Sequence, residues 1–99
     1  MGTANLTDEE TQVALVRLPS WKPVNGKLHR EYQFPDFVNA FGFMAAVALV
    51  AEAAGHHPEW FNVYNQVRID LATHEANGIT HKDVELASRI EAIASKFLT

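Results

Sequence analysis

Residues 37–54 read as a helix with no polar side. Phe37, Val38, Phe41, Phe43, Met44, Val47, Leu49 and Val50 fall around nearly the whole circumference, with alanines between them. A helix that is apolar all round must be covered all round. Asp36 caps its start. At its end Gly55 offers an exit, and Pro58 pushes His57 out of helical geometry. A chain of 99 residues has room for one compact domain. One sheet can cover only one side of this helix. The other side is expected to meet a second copy of the chain, in a homodimer or homotetramer. Small domains bury a smaller share of their surface, so association would add stability.

The flanking segments define what covers that helix. Thr7-Asp8-Glu9-Glu10 forms a capping box that starts a first helix. Val13, Leu15, Val16 and Leu18 supply its apolar side, and Pro19 ends it. Residues 1–6 read as a loose tail. Asn25-Gly26 suits a type I′ turn joining Trp21–Val24, kept at an edge by Pro23, to a half-buried strand. Leu28, Arg30, Tyr32 and Phe34 alternate there with polar residues, and Arg30 interrupts the apolar face. After Pro58, Trp60–Tyr64 is β-prone, Asn65-Gln66 is a turn or bulge, and Val67, Ile69 and Leu71 alternate in a fourth strand. Residues 75–79 form a loop with Asn77-Gly78. Thr80 caps a third helix with an apolar stripe at Val84, Ala87, Ile90, Ala94 and Phe97. The order α-β-β-α-β-β-α implies a single two-layer α+β domain over residues 1–99. It would hold a four-stranded antiparallel sheet with three helices on one face.

Composition narrows the function classes. The net charge is −4 and the eight Lys and Arg are scattered, which is unlike a nucleic-acid footprint. Cysteine is absent, removing disulfides, thiolate metal sites and a thiol nucleophile, and fitting a reducing cytoplasm. The apolar stretch Phe37–Ala51 carries Asn39 and Gly42 and is expected to be too short for a bilayer. The polar start of the chain is unlike a secretory signal.

The chemistry concentrates between Glu52 and Asp83. Glu52 and His56 are four apart and share a helix face. His56 and His57 sit at a helix exit, whose negative end favours an imidazolium. His74 stands where the last strand ends. Each residue also has a plainer use. Asp83 fits the [ST]-x-x-[DE] cap with Thr80, Glu52 suits a solvated helix face, and Trp60 and Tyr64 suit the sheet. His29 and His81 lack a partner in the pattern and read as surface residues. Three histidines could hold a metal, but there is no H-E-x-x-H and no cysteine. Adjacent His56 and His57 also point different ways. No metal site is therefore expected.

Together these positions read E-x3-H-H-P-x5-Y-x9-H-x8-D, from Glu52 through His56, His57, Pro58, Tyr64 and His74 to Asp83. The pattern resembles that of the pterin-4a-carbinolamine dehydratase family. Phe41-Gly42-Phe43-Met44, the run His57–Asn65, and Trp21 with Leu28-x-Arg30-x-Tyr32-x-Phe34 resemble further family blocks. The resemblance covers residues 7–97. It implies the same α+β fold in dimers and tetramers built through the second helix. It also implies a cofactor-free hydro-lyase removing water from 4a-hydroxytetrahydrobiopterin to give quinonoid dihydropterin, in tetrahydrobiopterin recycling. Carried over by the motif, His56 and His74 would be the acid–base pair and His57 would bind the pterin. Glu52 and Asp83 would orient imidazoles or hold protons, and Trp60 would wall the pocket. Family members often carry an acidic or amide residue where Gly55 stands, so a lower or altered activity is expected. Some animal relatives also act as dimerisation cofactors of a homeodomain transcription factor, which makes an interaction protein working through helix 37–54 the alternative.

Overall fold

The computed structural model describes residues 4–98. Its helices are α1 (Asp8–Ala14), α2 (Phe37–Ala54) and α3 (His81–Ala94). Its strands are β1 (Lys22–Val24), β2 (Lys27–Gln33), β3 (Glu59–Val63) and β4 (Gln66–Leu71). All strand pairs are antiparallel, in the order β1-β2-β4-β3. The fold is α+β, with the element order α-β-β-α-β-β-α.

Register explains the core. Leu28 pairs with Leu71, Arg30 with Ile69 and Tyr32 with Val67. This puts the alternating residues of β2 and β4 on one face. Ala40, Phe43 and Val47 of α2 are buried in the same cluster as Leu86, Ala87, Ile90 and Ala94 of α3, and Ala51 is buried as well. The opposite sheet face is open and carries exposed Phe61 and Val63.

Glu91 ties α3 to the strands. Tyr32 Oη and Trp21 Nε1 both donate to its Oε1, at 2.5 and 3.0 Å. Arg30 lies 3.5 Å from the same oxygen and 3.9 Å from the Tyr32 ring centroid. The interrupting arginine thus has a carboxylate and an aromatic face as partners.

Several local expectations are corrected. The capping box of α1 forms as read, but the helix tightens into a 3-10 turn over Leu15–Arg17. Residues three apart eclipse in such a turn. Leu15 and Leu18 therefore share the core side, while Val13 and Val16 are exposed. The tail is tied down at its end: Leu6 N donates to Ile79 O at 2.9 Å and Asn5 Nδ2 to Ala76 O at 2.8 Å. The first three residues of that expected tail lie outside the described residues. The β3–β4 turn is Tyr64-Asn65, one residue earlier than read, because Val63 pairs with Gln66. Tyr64 takes φ 50° there. Asn65 holds the turn by exchanging hydrogen bonds with the Phe34 backbone. His29 is no bare surface residue. Its ring is bracketed by Asp70 and Glu31, each at 2.8 Å. The Glu31 contact, with help from Asp70 and against the cost of burial, raises its pKa.

α2 runs 18 residues at a hydropathy of 1.8, so by length and composition alone it could cross a membrane. The expectation of too short a stretch came from stopping at Ala51. One of its faces is taken up by the sheet, with Phe43 and Val47 fully buried. Gly42 gives close passage to α3's end: a Cβ there would lie 2.9 Å from the Phe97 ring. The other face, with Val38, Phe41 and Leu49, is exposed.

Candidate active site

The exit of α2 is built by its backbone. Gly55 takes φ 65° in the left-handed region. Gly55 N donates to Glu52 O and His56 N to Ala51 O, both at 3.1 Å, the pairing of a Schellman cap. The chain reverses at that point, and the four-residue spacing stops describing neighbours. Glu52 consequently does not meet His56. Its Oε1 pairs with His57 Nε2 at 2.9 Å, and both side chains are largely exposed. Gly55 sits where glycine costs least. Asn and Asp are the side-chain residues that tolerate this region best, so an acidic or amide residue there would serve the same reversal. The space around a Gly55 Cβ is empty.

His56 turns inward. Its Nε2 lies 2.6 Å from Asp83 Oδ1, with the imidazole 13% exposed and the Asp83 side chain 0% exposed. Asp83 Oδ2 accepts from Thr80 N and Thr73 Oγ1, both at 2.9 Å. Thr73 has one hydroxyl proton and gives it to Asp83. The 2.7 Å contact between Thr73 and Thr80 hydroxyls must then be donated by Thr80. The carboxylate is thus an acceptor on both oxygens, so His56 Nε2 carries a proton and neutral His56 keeps a lone pair on Nδ1. Asp83 closes the α3 capping box and orients His56 at once.

His74 follows β4 in a 3-10 turn, His74–Ala76. Its Nε2 lies 3.5 Å from Glu59 Oε2, and Glu59 Oε1 accepts from Lys27 Nζ at 2.6 Å. Lys27, and to a lesser extent His74, hold the Glu59 carboxyl below its ordinary pKa. Glu59 likewise raises the pKa of Lys27. These three residues line one groove of about 520 Å3. His56 lines a separate cleft of about 110 Å3 between α2 and α3, with Lys82 and Glu85.

The register places all of this at one end of the sheet. Glu59 opposes Asp70, and Leu28 opposes Leu71, so the starts of β2 and β3 lie beside the end of β4. His57 precedes β3 by two residues and His74 follows β4 by three. Thr73, bonded to Asp83, is the neighbour of His74, so a short connection links the two histidine clusters. Among the described residues, no group of three His, Cys, Asp or Glu is placed to hold a metal ion.

Two motif members stand elsewhere. Tyr64 is exposed at the opposite end of β3, where its role is in the turn. Trp60 is half-buried against the core, opposite Ile69, and lines neither histidine groove. Thr73, Glu59 and Lys27 were not singled out from the sequence. Glu59 carried a faint signal, next to Pro58 in the His57–Asn65 run. Thr73 carried none.

The family profile described as pterin 4 alpha carbinolamine dehydratase matches residues 4–93. The chain belongs to the pterin-4a-carbinolamine dehydratase family. A Solibacter usitatus member, provisionally named pterin-4-alpha-carbinolamine dehydratase, is 58% identical over 93 residues, covering 94% of this chain and 98% of its own. A Burkholderia multivorans member with the same provisional name is 51% identical over 92 residues, covering 91% of this chain and 90% of its own. The crystal structure of a transcriptional coactivator/pterin dehydratase from Brucella melitensis superposes with a TM-score of 0.87 at 49% identity, over 91% of this chain and 98% of that one. A pterin dehydratase-like RuBisCO assembly factor of the alpha-carboxysome shares the fold, with a TM-score of 0.67 at 23% identity. Membership in the dehydratase family gives the chain its reaction class, a hydro-lyase acting on a pterin carbinolamine.

Proposed function

We propose that this chain dehydrates 4a-hydroxytetrahydrobiopterin-type carbinolamines by histidine acid–base catalysis, without metal or organic cofactor. The observation that carries the reading is the His56–Asp83 pair. A buried carboxylate with its remaining acceptor sites filled orients an imidazole and stabilises the cation formed when that imidazole takes a proton. In the proposed reaction His74 donates a proton to the hydroxyl at C4a. The C–O bond breaks and water leaves with the bonding pair. His56 accepts the proton of the neighbouring ring nitrogen, whose N–H electrons form the new C=N bond. One proton is delivered and one removed, so charge balances. His57, paired with Glu52 at the rim, holds the pterin. Well-placed groups of this kind contribute ~10²–10⁴-fold each.

The test is the dehydration rate of a carbinolamine generated in situ, with wild type beside His56→Ala, His57→Ala and His74→Ala. We expect losses of ~10²–10⁴-fold for His56 and His74. His57→Ala is expected to abolish measurable turnover with the fold intact. Unchanged turnover in His57→Ala would sink the proposal.

A second reading rests on the exposed face of α2, with Val38 77% and Leu49 75% exposed. A second copy of the chain is the occupant we propose, giving a homodimer or homotetramer. If the purified chain leaves that face bare, an interaction role gains ground.

A further inference from the structure

We infer that Glu59 is a positioning residue for His74: it accepts the proton on Nε2, so that His74 acts on the substrate through Nδ1. The inference rests on the dehydratase reading, in which His74 gives a proton to the leaving hydroxyl, and names the atom that gives it.

His56 and His74 are held in different ways. The His56 ring is 13% exposed and faces a fully buried carboxylate. The His74 ring is 82% exposed, so packing does not fix it. Among the described residues, Glu59 is the one acid in contact with that ring, with Oε2 3.5 Å from Nε2. The distance is long for a hydrogen bond, as catalytic contacts often are before substrate closes on them. Such a contact works only if Glu59 itself is fixed, and the sheet fixes it. Glu59 starts β3, opposite Asp70 of β4, while Lys27 starts β2 on the other side of β4. Lys27 therefore spans two strand spacings, about 10 Å, to reach Glu59 Oε1 at 2.6 Å. Asp70, between the two, could draw Lys27 away, but its Oδ1 is bonded to His29 Nδ1 at 2.8 Å. One oxygen of Glu59 is thus anchored and the other is left for His74.

The proton's place follows from counting donors and acceptors. Lys27 and His74 keep Glu59 ionised, and an ionised carboxylate only accepts. His74 Nε2 must then carry a proton whether the ring is charged or neutral, because the bond made by one ring nitrogen sets the state of the other. In the imidazolium, Nδ1–H is the proton free to leave. It passes to the C4a hydroxyl, the C–O bonding pair departs with the water, and the ring is left as the tautomer that Glu59 already accepts from. Donation from Nε2 would instead leave a bare lone pair facing the carboxylate. His56 has the same arrangement, with Nε2 toward Asp83. Both histidines thus meet the pterin through Nδ1.

The test reads the ring and the rate separately. Nitrogen–proton correlation spectra of the imidazoles at alkaline pH report which nitrogen of neutral His74 carries the proton, and His74→Ala identifies its signals. Wild type should show the proton on Nε2. In Glu59→Gln, at an exposed position, the amide has one oxygen for two donors. Lys27 takes that oxygen, the amide N–H turns to His74, and the ring proton should move toward Nδ1. In dehydration assays kcat should fall about tenfold with KM little changed, less than the ~10²–10⁴-fold loss of the acid itself. Lys27→Met added to Glu59→Gln lets the amide oxygen turn back to His74 and should recover part of both losses. A role confined to clamping strands would make the double variant worse instead. Thermal unfolding confirms that the variants are folded. A wild-type ring protonated on Nδ1, or an unchanged kcat in Glu59→Gln, overturns the assignment and leaves the dehydratase reading standing. Failure of the wild type to dehydrate overturns both.

Discussion

Asp83 accepts from His56 on one oxygen and from Thr73 and Thr80 on the other. Asn in its place keeps the shape but turns one acceptor into a donor, which then faces another donor. Hydrogen bonds to charged groups are worth about 1.5–3 kcal/mol, so Asp83→Asn should lower stability by about 2 kcal/mol in urea unfolding and also lower kcat. Thr80→Ala separates the two roles. It removes the cap hydroxyl, at a cost of about 1 kcal/mol, but leaves the His56–Asp83 contact, so kcat should change far less. Gly55 allows a second residue-level test. Gly55→Ala places a Cβ in the left-handed region and should cost about 1–2 kcal/mol, whereas Gly55→Asn should cost less. Unfolding midpoints that rank Ala above Asn would contradict the capping account. Gly55 and the Thr80–Asp83 cap were legible because both are local spacings. The Glu52–His57 and Glu59–His74 pairs were not. The first depends on where the chain goes after a left-handed cap, and the second on which strand ends lie side by side.

At the scale of elements, Glu91 joins α3 to β2 through Tyr32 and Arg30, and to Trp21 just before β1. Burial opposes its charge, but the hydrogen bonds from Tyr32 and Trp21, with Arg30 nearby, outweigh it and lower its pKa from 4.5. A carboxyl depressed on folding stabilises the native state fully above its unfolded pKa, and that contribution is lost as pH falls through the folded one. Stability should therefore drop as pH falls below 4.5, and Glu91→Gln should flatten that slope. Urea midpoints measured across that range decide it; equal slopes in the two proteins would remove Glu91 as a cause. The strands were legible because β2 and β4 alternate cleanly. The β3–β4 turn was not, because nothing local marks an aromatic residue for positive φ. The turn is instead held through Asn65 by the Phe34 backbone from across the sheet. The 3-10 ending of α1 was hidden for a related reason: its apolar residues fit either period over so short a run.

For the whole molecule, α2 presents two apolar faces and the fold covers one. Ala40, Phe43, Val47 and Ala51 face the sheet, while Val38, Phe41 and Leu49 remain exposed along the helix. The sequence showed an apolar circumference but not which side would be covered, because that is set by the register of β2 against β4. Full burial of a large aliphatic side chain is worth about 1.5–3 kcal/mol, so two such residues on the open face could supply about 3–6 kcal/mol per subunit toward association. Charges there would instead have to be desolvated. Val38→Glu with Leu49→Lys should therefore weaken self-association by at least about a hundredfold, read as a concentration-dependent mass by sedimentation equilibrium. The histidines lie beyond the last turn of α2, so the variant also tests whether assembly shapes the site. Retained turnover in a monomeric variant would mean that each chain carries a complete site. Loss of turnover in a folded monomer would mean that a neighbouring copy helps to build it. A wild-type protein that is monomeric at micromolar concentration would remove the oligomer altogether.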